Sequence, residues 1–348
     1  MTEQTKRHDI AYGVLFSGNF PLDRALGGAV LADDLGFDTC WLGEDYFYQG
    51  GIATAAAVAE RTRRVQVGLG VLTPLTRHPA LTVMEVAALD HISGGRVLLG
   101  YGAGVRFWMN QMRLDYRSPL TAMREAVSIT RALFAGEACN HDGRYYQLDN
   151  VRLGFAPPRP QMPIYLGAEG PKALQLSGEI ADGSVISVLA GPAYLRFARE
   201  NITAGCERSG RDPAAHRLVV YAITAVDDDG AAARDAVRMP IAEYLGASGK
   251  PNTLSIQAGI PDERMLEMGR VYREESRIPA ELVDDDMVAR VSIAGTPGEC
   301  AAAIGRLIEA GADEIAFFPF PSARAETVIE RIAREVLPLV RGNAYVAR

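Results

Sequence analysis

The chain has 348 residues, of which 48% are hydrophobic and 23% charged, and its formal net charge is −7 at pH 7. This length fits a single (β/α)8 barrel, a fold of about 250 residues or more. The acidic balance argues against nucleic acid as a partner, because contact with phosphates needs a basic surface.

The sequence shows no feature of a membrane or secreted protein. No run of about 18 apolar residues occurs, and residues 1–9 are polar and lack the apolar core of a secretory signal. The four cysteines are far apart, and no Cys-x-x-Cys spacing indicates a zinc site or a redox dithiol. Cys40 and Cys300 lie within apolar patterns, which predicts small core residues. We expect a reduced, cytoplasmic protein without a metal site.

Eight short apolar or β-rich runs, bounded by Gly, Asp or Pro, predict strands that are buried on both faces. They are residues 10–16, 38–43, 65–71, 96–101, 164–167, 184–188, 218–225 and 314–318. Helical patterns lie between them, and this alternation predicts a TIM (β/α)8 barrel. An open doubly wound sheet is the alternative. It would usually carry Gly-x-Gly-x-x-Gly after the first strand, where this chain reads Ser-Gly-Asn-Phe-Pro.

Local chemistry predicts where four of the helices begin. Pro21 and Pro79 can each open a helix, because the first helical position needs no N–H group. Ser118, which precedes a proline, is a predicted N-cap. Thr296 and Glu299 have the spacing of a capping box.

Two stretches interrupt the strand–helix alternation. Residues 140–159 predict a turn between two short extended pieces. Residues 247–291, between strands seven and eight, are too long for a simple loop and contain a predicted helix near residues 262–275. This insertion could form a lid over the site or a contact between subunits, and the sequence favours neither. We expect residues 1–348 to form one domain.

In a barrel the site lies at the carboxyl ends of the strands. Glu44 and Asp45 follow strand two, where carboxylates could position a proton, orient a ring or bind a substrate amine; a solvated loop is the alternative. Glycines inside strand three, Gly68 and Gly70, favour the close approach of a flat ligand, or alternatively tight packing. Arg77, in the loop after strand three, could meet an anion, whereas the adjacent histidine is more typical of a structural residue.

Glycine-rich turns follow strands four and five. Gly102 and Gly104 leave bare backbone at the barrel mouth. After strand five, Gly170 and a proline open a helix that lacks a Ser, Thr, Asp or Asn cap. A ligand phosphate could therefore bind the N–H groups of Lys172 and Ala173, with the helix dipole and the lysine charge in its favour. An ordinary helix start capped by water is the alternative.

These motifs, taken in order, resemble a known family. They read GFDTCW from residue 36, GVLTP and TRHP from residues 70 and 76, LDHISGGR from residue 89, GYGAG from residue 100, PIYLGAEGPK from residue 163 and GEIADG from residue 178. The chain resembles the luciferase-like flavin or deazaflavin oxidoreductases, and is most similar to their methylenetetrahydromethanopterin reductase branch.

The resemblance implies a TIM barrel, a small-molecule substrate, and a homodimer or larger homo-oligomer. It implies a non-prolyl cis peptide at Gly70-Val71 behind the cofactor ring, Thr73 near that ring, and the turn after strand two beside its reactive carbon. Many relatives carry a histidine where this chain has Asp45, and a carboxylate is a weaker proton donor than imidazolium unless burial raises its pKa. The residues expected to bind the cofactor are Gly70, Val71, Thr73, Gly102, Gly104, Gly167, Ala168, Glu169, Gly170, Pro171 and Lys172.

The favoured function is that of an oxidoreductase dependent on coenzyme F420, an 8-hydroxy-5-deazaflavin, with Glu44 or Asp45 as the catalytic acid. An FMN-dependent monooxygenase that uses dioxygen is the alternative on the same fold. A non-redox barrel that binds a phosphorylated metabolite is disfavoured. Such an enzyme would want a Schiff-base lysine or a metal cluster at a strand end, and the chain has only three lysines.

Overall fold

The computed structural model describes residues 10–346. Residues 1–9, for which no secretory signal is predicted, lie outside the described residues. All eight predicted strands are present within two residues of their expected ends. The strands are β1 Ala11–Phe16, β2 Thr39–Leu42, β3 Gln66–Leu72, β4 Val97–Tyr101, β5 Cys139–Asp142, β6 Gln147–Val151, β7 Ile164–Gly167, β8 Gly183–Ile186, β9 Arg217–Val226, β10 Ile293–Gly295 and β11 Glu314–Pro319.

Helices alternate with the strands, and the fold is the TIM barrel that the sequence predicts. The helices are α1 Leu22–Leu35, α2 Gly51–Arg61, α3 Pro79–Ser93, α4 Arg106–Gln111, α5 Pro119–Phe134, α6 Pro171–Ile180, α7 Pro192–Ser209, α8 Gly230–Ser248, α9 Thr253–Gln257, α10 Asp262–Glu274, α11 Asp285–Val291, α12 Pro297–Glu309, α13 Ala325–Arg331 and α14 Leu337–Val346. Within the described part of the chain, no helix is long and apolar enough to cross a membrane.

The described chain divides into two compact units. One holds residues 15–185 and 201–217; the other holds residues 10–14, 186–200 and 218–346. In the first unit, β2, β3, β4, β7 and β8 pair in that order, and all of these pairs are parallel. In the second unit, β11 pairs in parallel with β1 and with β9, and β9 also pairs with the short β10.

The parallel strands of the first unit are largely buried on both faces, which explains their continuous apolar sequences. Trp41 of β2 is fully buried, and its ring covers Gly68 of β3. A Cβ atom at Gly68 would lie 2.3 Å from that ring. The Trp41 ring also meets Tyr165 of β7 edge-to-face, with centroids 5.5 Å apart. Tight packing, the alternative considered for the strand-three glycines, is therefore the reason for Gly68.

Most of the predicted helix starts are confirmed, with two corrections. Thr296 and Glu299 form the capping box of α12, and His78 caps α3 by accepting from the Ala80 N–H, the structural role expected for it. Pro21 is the N-cap of α1, one position before the predicted one. Ser118 occupies the N-cap of α5 but does not cap it, because its hydroxyl bonds the Thr121 hydroxyl at 2.7 Å instead.

Both interruptions of the alternation have ordered structure. β5 and β6 form the expected antiparallel hairpin, and its turn is bound by Glu125 of α5. That carboxylate accepts the backbone N–H groups of Arg144, Tyr145 and Tyr146. The insertion at residues 247–291 contains α9, α10 and α11, and α10 confirms the helix predicted there.

The four cysteines, including the predicted core residues Cys40 and Cys300, are buried free thiols. Burial raises the pKa of Cys40 and of Cys300 to about 12, because the charged thiolate is disfavoured away from water. These thiols act as small apolar core residues.

Candidate active site

Every predicted site residue lies in the first compact unit, at the carboxyl ends of β2, β3, β4 and β7 or in the turns that follow them. These neighbouring strands are parallel, so their carboxyl ends meet at one edge. The structure therefore brings the separate sequence motifs to one side of the barrel.

The end of β3 is irregular, as the resemblance implied. The peptide between Gly70 and Val71 is cis. The β3–β4 register shifts between Leu69 and Leu72, so one part of β3 bulges at the mouth.

The Val71 side chain fills space that glycines on the neighbouring strands leave open. A Cβ atom at Gly102 would lie 2.4 Å from Val71 Cγ2, and one at Gly100 would lie 3.0 Å from Val71 Cγ1. At Gly167 the corresponding distance is 3.3 Å. Packing against Val71 is thus a sufficient reason for glycine at Gly102 and Gly167, and contact of their backbone with a cofactor stays a prediction.

Thr73 and Gly104 are neighbours at the same rim. Gly104 has a φ of +74°, a conformation that favours glycine, and a Cβ atom there would lie 3.4 Å from Thr73 Oγ1. Thr73 is only 2% exposed, and no described residue hydrogen-bonds its hydroxyl in good geometry. The Tyr46 hydroxyl is bonded to Thr76 Oγ1 at 3.2 Å and also interacts with the Thr73 hydroxyl. Buried hydroxyls normally have a partner, and a ligand atom at this rim would share the Thr73 hydroxyl with Tyr46.

Glu44 and Asp45 bind different backbone donors. Glu44 Oε2 accepts the Gly51 N–H at 3.0 Å, at the start of α2. Asp45 Oδ2 accepts the Gly18 N–H at 2.8 Å. Each acid therefore anchors the turn after β2 to another part of the chain, which sequence alone did not predict.

A basic partner distinguishes the two acids further. Arg77 Nη1 lies 3.5 Å from Glu44 Oε1, and Arg77 Nε lies 3.2 Å from Glu85 Oε2. The anions that Arg77 meets are therefore side chains of this chain. No described cation pairs with Asp45, and burial raises its pKa, although the Gly18 N–H partly opposes the shift. Asp45 consequently keeps a proton to higher pH than an ordinary aspartate does.

The predicted phosphate site lies at the start of α6. Gly170 is the N-cap, with φ −84° and ψ 163°, and it has no side chain that could cap the helix. Nothing lies within 4 Å of the position of a Cβ atom at Gly170. One detail of the prediction is wrong: the Ala173 N–H donates to the Gly170 carbonyl at 3.0 Å and is not available to a ligand.

The sequence analysis did not assign two groups of residues to the barrel mouth. Gly18 lies in the turn after β1, and its position after the first strand could have placed it at the same rim. The rings of Tyr46 and Trp108 meet edge-to-face, with centroids 5.7 Å apart. This contact joins segments about 60 residues apart in the chain and leaves no local pattern in the sequence.

Comparisons with known proteins agree with this description. The family described as luciferase-like monooxygenase matches residues 3–314. A 5,10-methylenetetrahydromethanopterin reductase of Methanolobus tindarius is 30% identical over 330 residues, which are 94% of this chain and 100% of the relative. An F420-dependent glucose-6-phosphate dehydrogenase of Beutenbergia cavernae is 30% identical over 91% of this chain and 93% of its own. A solved structure of the coenzyme F420-dependent tetrahydromethanopterin reductase of Methanopyrus kandleri superposes with a TM-score of 0.87 at 25% identity, covering 95% of this chain and 99% of that one.

Proposed function

Because the chain belongs to the luciferase-like monooxygenase family and is an enzyme of the oxidoreductase class, we propose that it depends on coenzyme F420 and transfers a hydride to or from a small organic substrate. Relatives that are 30% identical over nine-tenths of the chain include an enzyme named for this cofactor. The observation that carries the proposal is that one side of the barrel holds both the buried Thr73 hydroxyl and the uncapped start of α6.

The residues present at the mouth fit such a cofactor. Thr73 offers a buried hydroxyl to a polar ring, and the bulge at Gly70 and Val71 lies directly before it. Gly102 and Gly104 lie on the neighbouring strand end. The uncapped start of α6 with the adjacent lysine suits a phosphate, and the residues for it are Gly167, Ala168, Glu169, Gly170, Pro171 and Lys172.

When bound, reduced F420 supplies a hydride to an electron-poor carbon and the oxidised form accepts one. Asp45 is the group that we assign to proton transfer. Its Oδ2 is fixed by Gly18, no described residue hydrogen-bonds its Oδ1, and its raised pKa favours the protonated form. Glu44 is a positioning residue, because its carboxylate is already bound by Arg77 and the Gly51 N–H.

The test is separate titration of the purified protein with F420 and with FMN, following the fluorescence of each ring. We expect F420 to bind and FMN to bind far more weakly. Thr73→Val keeps the shape and removes the hydroxyl, so it should weaken F420 binding roughly three- to tenfold, the effect of one hydrogen bond. Thr76→Val serves as the matched control. Tight FMN binding would favour the monooxygenase alternative, and binding of neither ring would refute both.

We also propose that the protein is a homo-oligomer and that each copy folds as one domain over residues 1–348. The support for an oligomer is the outer face of α3, whose exposed positions Leu81, Met84, Ala88 and Ile92 form one apolar stripe. Glu85 lies on the same face and is paired with Arg77. Such an apolar stripe is a suitable contact for a second copy of the chain. A single domain should unfold in one cooperative transition in calorimetry.

A further inference from the structure

The hairpin of β5 and β6 contacts the loop that follows β3. Tyr146 lies directly before β6, and its hydroxyl donates to the Pro74 carbonyl at 2.7 Å, across 72 residues of sequence. The tyrosine is only 7% exposed. A short hydrogen bond between buried groups is costly to lose, because water cannot readily replace the missing partner. The bond is therefore a firm attachment of the hairpin to this loop.

The loop after β3 comprises residues 73–78 and begins with Thr73 and Pro74. A proline has no N–H group, so the backbone here can be held mainly through its carbonyl oxygens. The Thr73 carbonyl accepts from the Thr76 N–H at 3.3 Å and from the Thr76 hydroxyl at 3.1 Å. The Pro74 carbonyl accepts from Tyr146. Because the proline ring already fixes φ, this bond restricts the remaining soft backbone dihedral of Pro74, next to Thr73.

Tyr146 is itself held from two sides. Its backbone N–H donates to Glu125 Oε2 at 3.1 Å, and its ring meets the His78 ring edge-to-face with centroids 5.3 Å apart. A Cβ atom at Gly143 would lie 2.4 Å from Glu125 Oε2, so glycine in the hairpin turn lets this carboxylate approach the backbone. Burial raises the pKa of Tyr146, so its hydroxyl stays protonated and able to donate. The donor is thus fixed in place and in protonation state.

Resting on the proposed function, in which Thr73 contacts the cofactor, we infer that Tyr146 is a positioning residue of the active site. It acts through the Pro74 carbonyl and sets the place of the Thr73 hydroxyl at the end of β3. The hairpin of β5 and β6 is then a support for the cofactor site as well as an interruption of the barrel. A role confined to stability is the alternative, and it predicts no specific effect on cofactor binding.

The first measurement uses the protein without cofactor and follows hydrogen exchange by mass spectrometry. Tyr146→Phe keeps the ring and removes the hydroxyl. The amide hydrogens of residues 73–78 should then exchange roughly three- to tenfold faster, the effect of one lost hydrogen bond. Tyr101→Phe is the matched control, because the Tyr101 hydroxyl is also buried and bonds Thr130 Oγ1 of α5 at 2.9 Å. It should lower the thermal midpoint by a similar amount and leave exchange at residues 73–78 unchanged.

The second measurement is F420 binding, followed by the fluorescence of the ring. Tyr146→Phe should weaken binding roughly two- to fivefold, less than Thr73→Val does, because it only misplaces the hydroxyl that Thr73→Val removes. In the Thr73→Val background, Tyr146→Phe should cause no further loss. Tyr101→Phe should leave F420 binding unchanged.

Unchanged exchange at residues 73–78 in Tyr146→Phe would overturn the inference. So would affinity losses that add in the double variant, or equal losses in Tyr146→Phe and Tyr101→Phe, because these indicate an effect of stability alone. Failure of the wild type to bind F420 would refute the proposed function, and the exchange measurement would then decide by itself whether Tyr146 fixes the position of Thr73.

Discussion

Glu44 and Asp45 are adjacent in the chain, yet their surroundings give them different chemistry. Glu44 is bound by a guanidinium and a backbone N–H. Asp45 has one backbone donor and is otherwise shielded from water, and burial raises its pKa. Two carboxylates with opposed environments are a common arrangement for one group that transfers a proton and another that holds the site in shape.

Asp45→Asn should lower kcat for substrate reduction about 100- to 10,000-fold, because the amide cannot supply a proton. In the wild type the rate should fall as pH rises through the raised pKa of Asp45, since only the protonated acid donates. The variant should lose this pH dependence while it still binds F420. Steady-state rates measured across pH check this, and an Asp45→Asn enzyme with an unchanged profile would contradict the assignment.

At this scale the sequence located the acids but not their contacts. Glu44 and Asp45 follow an apolar strand, and a strand end in a barrel fixes which side of the molecule they reach. Their donors, Gly51 and Gly18, are chosen by tertiary packing, and Gly18 is 27 residues away. The role of Thr73 came only from the family resemblance, because a single threonine after a strand has no distinctive local pattern.

Val71 in the β3 bulge packs against Gly100 of β4 and against Gly102, which follows it. Substitutions at these positions should therefore have coupled effects on the free energy of unfolding. Gly102→Ala would place a methyl group 2.4 Å from Val71 Cγ2 and should destabilise the protein by about 1–3 kcal/mol. Val71→Ala should restore part of this loss when the two changes are combined. The free energies of unfolding in denaturant measure the coupling.

Gly305→Ala provides the control, because it lies inside α12 with nothing within 4 Å of a new Cβ atom. It should be neutral or stabilise by about 0.5–1 kcal/mol. Additive losses for Gly102→Ala and Val71→Ala would show that their contact contributes nothing.

The connection between α1 and β3 depends on one carboxylate. Asp33 accepts the backbone N–H groups of Arg63, Arg64 and Val65. Burial acts to raise its pKa, but these three hydrogen bonds and the Arg64 charge together lower it. The stabilisation by the ionised Asp33 carboxylate is therefore complete above the pKa of an unfolded aspartate, about 3.9. It is lost as the pH falls through the lower pKa of Asp33 in the folded protein.

Asp33→Asn should lower the free energy of unfolding by about 1–3 kcal/mol at pH 7, and by less near pH 3, where the wild type has begun to lose the same contribution. Chemical denaturation at both pH values measures the difference. Asp34→Asn, at the exposed neighbouring position, should have little effect. An equal loss at both pH values would contradict the linkage to this carboxylate.

At the scale of the whole molecule, the strand–helix order was predictable because a strand buried on both faces leaves an apolar run in the sequence. The hairpin of β5 and β6 was predictable from its turn. β10 was not, because its three residues are too few to form a pattern. The packing of Val71 on three glycines also could not be predicted, since it depends on a register shift between strands.

The proposed oligomer gives a test at the same scale. Light scattering should show a dimer or larger species, and Met84→Lys should yield monomers, because two buried lysines would face each other across a symmetric contact. Leu266→Lys changes an equally exposed residue on α10 and should leave the mass unchanged. A wild-type monomer would exclude the proposal.

The inaccessible thiols have a practical consequence. Maleimides react with thiolates that solvent can reach, and the four native cysteines are all buried. A cysteine introduced at an exposed position, as in Lys250→Cys, would thus be the only group such a dye could modify. Fluorophores or spin labels can therefore be attached to the insertion at residues 247–291 without removing any natural cysteine, which allows a direct test of whether the insertion moves during turnover.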